Sequence, residues 1–170
     1  MSGLSKAFGG VQAVKDVSFE VAEGELLAMI GPNGAGKSTC FNMLNGQIRP
    51  DRGSVKLAGE ELVGRSPAQI WRRGVGRTFQ ITATFPSMTV AENVAMVLMS
   101  QARELFSFTR SAVNRHRARA LELLEMVGMA GQADRPCGVL AYGDLKRVEL
   151  AVALGNDPRL LLMDEPTAGM

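Results

Sequence analysis

Nine consecutive residues, Gly31-Pro32-Asn33-Gly34-Ala35-Gly36-Lys37-Ser38-Thr39, constrain the fold of this chain more than any other feature. They fit the pattern G-x-x-x-x-G-K-[ST] in the one context where that pattern has a mechanism. The compact apolar run over residues 25–30 reads as a strand, and residues 38–45 read as a helix that Gly46 ends at its C′ position. Strand, glycine-rich loop and helix make a cradle for a chain of phosphates. Backbone N–H donors must approach the anion closely, which a side chain at Gly34 or Gly36 would obstruct, and the helix adds the positive end of its dipole. Lys37 is expected to neutralise the β- and γ-phosphates, the Ser38 hydroxyl to ligate Mg²⁺, and Thr39 to bond the α-phosphate.

A second run brings acids to the end of a strand. Leu160-Leu161-Leu162-Met163-Asp164-Glu165 sets four apolar residues before two carboxylates. Both acids then sit at the C-terminal edge of a buried strand, where ligands bind in open α/β sheets. Asp164 is expected to hold Mg²⁺ through its water shell, and Glu165, displaced by the pleat, to orient and deprotonate a water attacking the γ-phosphate. Gln80 closes a strand expected over residues 75–79, a position from which its neutral amide reaches Mg²⁺ or the attacking water. Taken alone, a Gln at a strand end is unremarkable. Leu140-Ala141-Tyr142-Gly143-Asp144 precedes a helix, so its amides and the helix dipole form a second anion site. One nucleotide does not easily occupy both sites. A dimer in which each subunit completes the other's site answers this; an ordinary helix start is the simpler alternative.

Between these motifs the 19 glycines punctuate a recurrent strand, loop, helix order, which is an α/β pattern. Val17-Ser18-Phe19-Glu20-Val21 alternates as a short strand, Arg49-Pro50-Asp51-Arg52-Gly53 is a turn, and residues 54–57 alternate again. Ser66-Pro67 reads as an N-cap with Pro at N1, opening a short helix closed by Gly74. From Thr89 to Gly128 the chain turns helical: Thr89 and Glu92 form a capping box, and Ala120, Leu121, Leu124 and Val127 form a stripe. A further helix over residues 144–154 carries Leu145, Val148 and Val152 on one face and leads to the apolar run at Leu160.

Composition excludes several classes. At 46% hydrophobic and 21% charged, with 19 Lys+Arg against 17 Asp+Glu, the chain is an ordinary globular sequence without the clustered basic footprint of a nucleic-acid binder. Cys40 and Cys137 lie far apart and suggest neither a disulfide framework nor a zinc site. No apolar run approaches the ~18 residues of a membrane span, and residues 1–10 lack the apolar core of a signal peptide. A role at a membrane therefore requires a partner that holds the chain there.

In this order the four segments resemble the nucleotide-binding subunit of an ATP-binding cassette (ABC) transporter, and the likeness runs over the whole chain. Gly76-Arg77-Thr78-Phe79-Gln80, the stretch from Phe85-Pro86-Ser87-Met88 to Asn93-Val94, and Tyr142-Gly143-Asp144-Leu145-Lys146-Arg147 are similar in wording to the ATP subunits of branched-chain amino-acid importers. The resemblance implies a P-loop NTPase (RecA-like) core with an N-terminal antiparallel β subdomain and an inserted helical subdomain. Residues 1–80 and 145–170 would be the core and residues 81–144 the insertion. It also implies that Phe8 stacks on adenine, that Gln80 is the Q-loop residue, and that residues 140–144 contact ATP bound to a second ABC subunit. The implied ligands are ATP and Mg²⁺. The implied partners are a second cassette, integral permease subunits and, through them, a solute-binding protein, with the subunit peripheral on the cytoplasmic face of the membrane.

The sequence departs from the family's common LSGGQ signature: Ala141 replaces Ser, Tyr142 replaces Gly and Asp144 replaces Gln. Losing the Ser hydroxyl removes one contact to the γ-phosphate. Arg103, Arg110, Arg115, Arg117 and Arg119, with His116 among them, read as a solvated helix face, the alternative being contact with anionic headgroups or a partner loop. Met88, Met96 and Met99 read as core, the alternative being an adaptable surface for a permease helix. Two other functions stand beside the transport ATPase: a soluble ABC-type ATPase of DNA repair or translation, and a nucleotide-binding module without catalysis. A parallel strand beside residues 160–163 would need a crossover of a dozen or more residues, and only seven follow. The expectation is therefore an incomplete domain lacking the last core strands and the switch histidine, which as given hydrolyses ATP weakly.

Overall fold

The computed structural model describes residues 1–78, 84–104 and 110–163. Two compact units divide at Trp71, Met1–Trp71 and Arg72–Met170.

The first unit is built on a hairpin. Strands β1 (Ser2–Phe8) and β2 (Val11–Val17) run antiparallel with Phe8 opposite Val11. The Gly9-Gly10 turn between them has φ of 52° and 87°, the two-residue geometry that matches strand twist and that glycine adopts without strain. The opposite edge of β1 takes β3 (Arg52–Ser54), giving the order β2-β1-β3. Leu4 and Val14 are buried. Helix α1 (Lys37–Leu44) turns Cys40, Met43 and Leu44 inward and ends, as expected, before Gly46 with φ of 77°. A second hairpin, β4 (Lys56–Leu57) and β5 (Glu60–Glu61), precedes helix α2 (Pro67–Trp71). Ser66 and Gln69 cap α2 reciprocally, Gln69 N donating to Ser66 Oγ and Ser66 N to Gln69 Oε1.

In the second unit, β6 (Val75–Arg77) lies parallel to β7 (Leu160–Leu162), pairing Val75 with Leu160 and Arg77 with Leu162. Among its described residues the connection between them carries three α-helices. Helix α3 (Val90–Gln101) opens on the expected capping box, with Glu92 N donating to Thr89 Oγ1 and Thr89 N to Glu92 Oε2. Helices α4 (Arg110–Met126) and α5 (Tyr142–Leu154) pack against it around Val90, Val94, Leu124, Met129, Cys137 and Val148. The stripe read on α4 is in place: Ala120 and Leu124 are fully buried, with Leu121 and Val127 packed beside them. Met99 is wholly buried, as its core reading requires. Asn93 is a buried polar tie: its Nδ2 donates to Phe85 O, Thr89 O and Cys137 Sγ, and its Oδ1 accepts from Phe85 N at 2.7 Å.

Three strand expectations need correction. The strand read over residues 25–30 is not formed, and Leu26 and Ile30 are 84% and 92% exposed. No described segment offers it a ladder, and an extended segment without one leaves its peptide groups to water. Of the alternation at residues 17–21 only Val17 is in a strand, because β2 ends there and residues 18–21 form none. The strand read over residues 54–57 is two short pieces, β3 and β4, that separate at Val55 and join different sheets.

Candidate functional site

The glycine-rich loop closes on α1 through backbone geometry that other residues resist. Gly34 and Gly36 have φ of 83° and 85°, and Gly36 is the N-cap of α1. A Cβ on Gly36 would lie 2.3 Å from the carbonyl oxygen of Ala13 on β2. Gly36 is thus demanded by the approach of the β2 backbone as well as by its φ, a reason that local sequence does not show. Ala35 N donates to Pro32 O at 3.2 Å, and Cys40 N donates to Gly36 O at 2.9 Å, joining loop to helix.

No side chain caps α1 and no acid stands in its first turn. Its leading N–H groups are therefore free to meet an anion, and the helix dipole favours one there. Ser38 is exposed and Thr39 half-buried. Lys37 folds back over the loop, its Nζ donating to Gly31 O at 2.6 Å and Pro32 O at 2.8 Å. Gly31, Pro32, Asn33, Gly34, Ala35 and Gly36 thereby form a loop that runs directly into Lys37, Ser38 and Thr39 of the first turn of α1, with the Lys37 cation folded back over the loop. Beneath it a cavity of about 430 Å³ is lined by apolar side chains including Val14, Phe19 and Met29, with Lys37 and Cys40 on its wall. Burial pushes the Cys40 thiol upward in pKa.

Phe8 ends β1 beside the Gly9-Gly10 turn, the residue 46% exposed. Lys6 Nζ stands over that ring, 5.5 Å from its centroid, and pairs with Asp51 Oδ1 at 2.7 Å. Asp51 Oδ2 accepts from Ala7 N at 2.8 Å. These bonds from Lys6 and Ala7 hold the Asp51 carboxyl below the usual range. Sequence reading missed Lys6 and Asp51, because 45 positions separate them and only the β1–β3 pairing brings them together.

The second expected anion site is the start of α5. Ala141 is its N-cap, without a side-chain cap, as a methyl side chain dictates. Tyr142 is exposed, with Lys146 Nζ 5.4 Å from its ring centroid. Asp144 places a carboxylate in the first turn, which opposes an anion at that end. Its Oδ2 accepts from Gln132 Nε2 at 3.4 Å, and Arg147 approaches Oδ1 at 4.0 Å. Gly143 lies within the same turn. Gln80, Asp164 and Glu165 lie outside the described residues.

Arg115, Arg117 and Arg119 of α4 are exposed, as a solvated helix face requires, and each is paired with an acid. Arg117 pairs with Asp134 at 2.8 Å, Arg119 with Glu122 and Asp157 at 2.9 Å, and Arg115 and His116 with Glu104. Such surface pairs add little stability but neutralise the stripe. Among the described residues no cluster of His, Cys, Asp or Glu forms a metal cage, and no helix is long and apolar enough to cross a membrane.

A glycine-rich loop on a helix N-terminus, a parallel strand pair and a helical segment between its strands are the elements of a P-loop nucleotide-binding ATPase. The ABC transporter family profile matches residues 14–168, and the chain belongs to that family. Over its full length the chain is 42% identical to BraF of Pseudomonas aeruginosa, a high-affinity branched-chain amino acid transport ATP-binding protein, and covers 69% of it. It is 40% identical to the corresponding protein LivG of Escherichia coli K12, again covering 69%. The crystal structure of MJ1267 in its ADP conformation, an ATP-binding cassette of an ABC transporter, superposes with a TM-score of 0.83 at 30% identity, over 99% of this chain and 68% of that one. The dimeric cassette MJ0796 bound to ADP and Pi gives 0.82 at 28% identity, over 99% and 74%. The α/β P-loop fold and the ATPase class expected from sequence are those of these relatives.

Proposed function

We propose that this chain is the ATP-binding and ATP-hydrolysing subunit that powers an importer of branched-chain amino acids. The observation that carries nucleotide binding is the uncapped, acid-free start of α1 with Lys37 at the mouth of its loop. The identity to BraF and LivG over the full chain supports the transported class, and supports transport over repair or translation.

In this reading backbone N–H groups within residues 33–39 hold the phosphate chain, and the Lys37 ammonium exchanges its two loop carbonyls for the β- and γ-phosphates. Phe8 stacks on the base. Ser38, Gln80 and Asp164 would hold Mg²⁺, which draws charge from the phosphates. The exposed Ser38 hydroxyl beside the anion-ready helix start fits that assignment. Glu165 takes a proton from the attacking water. Ala141, Tyr142, Gly143 and Asp144 face the nucleotide of a second cassette, and residues 81–144 form the helical subdomain that meets the permease. The subunit works on the cytoplasmic side of the membrane through that contact.

Complementation tests the reading. In cells lacking the ATP subunit of their branched-chain amino-acid importer, a hybrid of this chain with the part of LivG that it does not cover is expected to restore leucine uptake, and the same hybrid carrying Lys37→Ala to restore none. Uptake unchanged by the unmutated hybrid, with permease and solute-binding partners present, overturns the transport assignment.

A further inference from the structure

Phe8 alone does not explain how its ring is held. The ring ends a strand beside a glycine-glycine turn and is half exposed, so nothing in the strand itself fixes its orientation. The constraint comes from the turn before β3. Asp51 is fastened to β1 twice through the backbone, its own N–H donating to Ser5 O at 2.9 Å and its carboxylate accepting from Ala7 N at 2.8 Å. That anchored carboxylate holds the Lys6 ammonium at 2.7 Å, and the ammonium stands over the Phe8 ring. Lys6 and Phe8, two residues apart on one strand, share a face. The Lys6 side chain is only 18% exposed, so its cation is held in place rather than sampling solvent.

We infer that Lys6 is a positioning residue for recognition of the base: held by Asp51, it occupies one face of the Phe8 ring and presents the other to a purine. The cation is attracted by the ring's quadrupole, which restrains ring rotation and draws electron density to the occupied face. A planar, electron-rich base then stacks on the remaining face with less ordering left to do. The Gly9-Gly10 tip, where an added Cβ would meet nothing within 4 Å, leaves room for a base beside the ring. The inference rests on the proposed stacking role of Phe8. It assigns to Lys6 a part in selecting a purine nucleotide over bare polyphosphate.

Calorimetric titration of the full chain with ATP and, separately, with inorganic tripolyphosphate tests it. Lys6→Met is expected to weaken ATP binding about three- to fivefold, the range of an exposed cation–π contact, with tripolyphosphate affinity unchanged. Lys6→Arg restores ATP affinity, and in a Phe8→Ala background Lys6→Met costs nothing further. Asp51→Asn, which frees the ammonium without removing it, reproduces the ATP-selective loss. Wild-type ATP affinity in Lys6→Met, or equal weakening of ATP and tripolyphosphate, overturns the inference. If Phe8→Ala loses ATP affinity while Lys6→Met does not, the inference fails alone. If the wild-type chain binds ATP no more tightly than tripolyphosphate, the stacking role of Phe8 fails and the inference with it.

Discussion

Gly36 and Ala13 meet backbone to backbone: a methyl group on Gly36 would stand 2.3 Å from the Ala13 carbonyl oxygen. The glycine-rich loop is thereby seated on β2, and a side chain at Gly36 must move either the loop or the strand. Gly36→Ala adds this overlap to the cost of holding alanine at φ of 85°. We expect a loss of about 3 kcal/mol or more in urea unfolding. Gly34→Ala, with φ of 83° but open space around its Cβ, should lose only about 1–2 kcal/mol. Equal losses for the two variants would show that backbone conformation alone decides, and that the contact with Ala13 is unimportant.

The buried amide of Asn93 carries a second expectation. It serves Phe85 from both sides, accepting its N–H at 2.7 Å and donating to its carbonyl at 3.1 Å, and it also ties Cys137. Asn93→Leu leaves the part-buried N–H and carbonyl of Phe85 without that partner, at about 1–3 kcal/mol each where water does not replace it. A loss of about 2–3 kcal/mol is expected, with faster hydrogen exchange at Phe85 N–H. Unchanged exchange there would mean that the loop is held by other contacts.

What sequence showed and what it hid divide by range. The loop over residues 31–39, the Thr89–Glu92 capping box and the stops at Gly46 and Gly128 depend on neighbours within a few positions, so each is legible from local chemistry. The run at residues 25–30 has the composition of a buried strand, but a strand also needs a ladder, which composition does not supply. Asp51 reads locally as a turn residue, and its hold on Lys6 exists only once β3 pairs with β1. Arg117 and Arg119 read as a solvated helix face and are exposed, but their acidic partners Asp134 and Asp157 come from segments outside α4 to which local sequence does not point.

Asp51 also sets an acid-side expectation. Its bonds to Lys6 and Ala7 lower its pKa from the ordinary 3.8. A carboxyl with a depressed folded-state pKa contributes stability that is fully present above 3.8, declines as the unfolded chain takes up its proton, and is gone once the pH falls below the folded value. Denaturation midpoints measured from about pH 5 downward should therefore fall less steeply for Asp51→Asn than for the wild type. Glu61 and Glu104 shift in the same direction, so the slope should be reduced rather than abolished. For Glu61, burial raises the pKa, and hydrogen bonds from Ser54 and the amides of Val63 and Val55 outweigh it. A wild-type slope in Asp51→Asn would remove the Lys6 pair from the acid response.

Cys40 offers a direct probe of the loop. It is the residue after Thr39, buried on the inner side of α1, and burial raises its thiol pKa, as it does for Cys137 on the other unit. Both thiols should therefore react slowly with a maleimide at neutral pH, since the thiolate is scarce and access requires opening. The Cys137→Ser variant isolates the reaction at Cys40. Nucleotide that binds the loop stabilises α1 and disfavours the opening, by RT ln(1 + [L]/Kd) when opened protein does not bind it. At saturating ATP, about a hundred times Kd, labelling of Cys40 should slow about a hundredfold if α1 must open for reaction. In Lys37→Ala the protection should disappear. Equal labelling rates with and without ATP, in protein shown by calorimetry to bind it, would mean that Cys40 is reached through the cavity beneath the loop without disturbing the phosphate cradle.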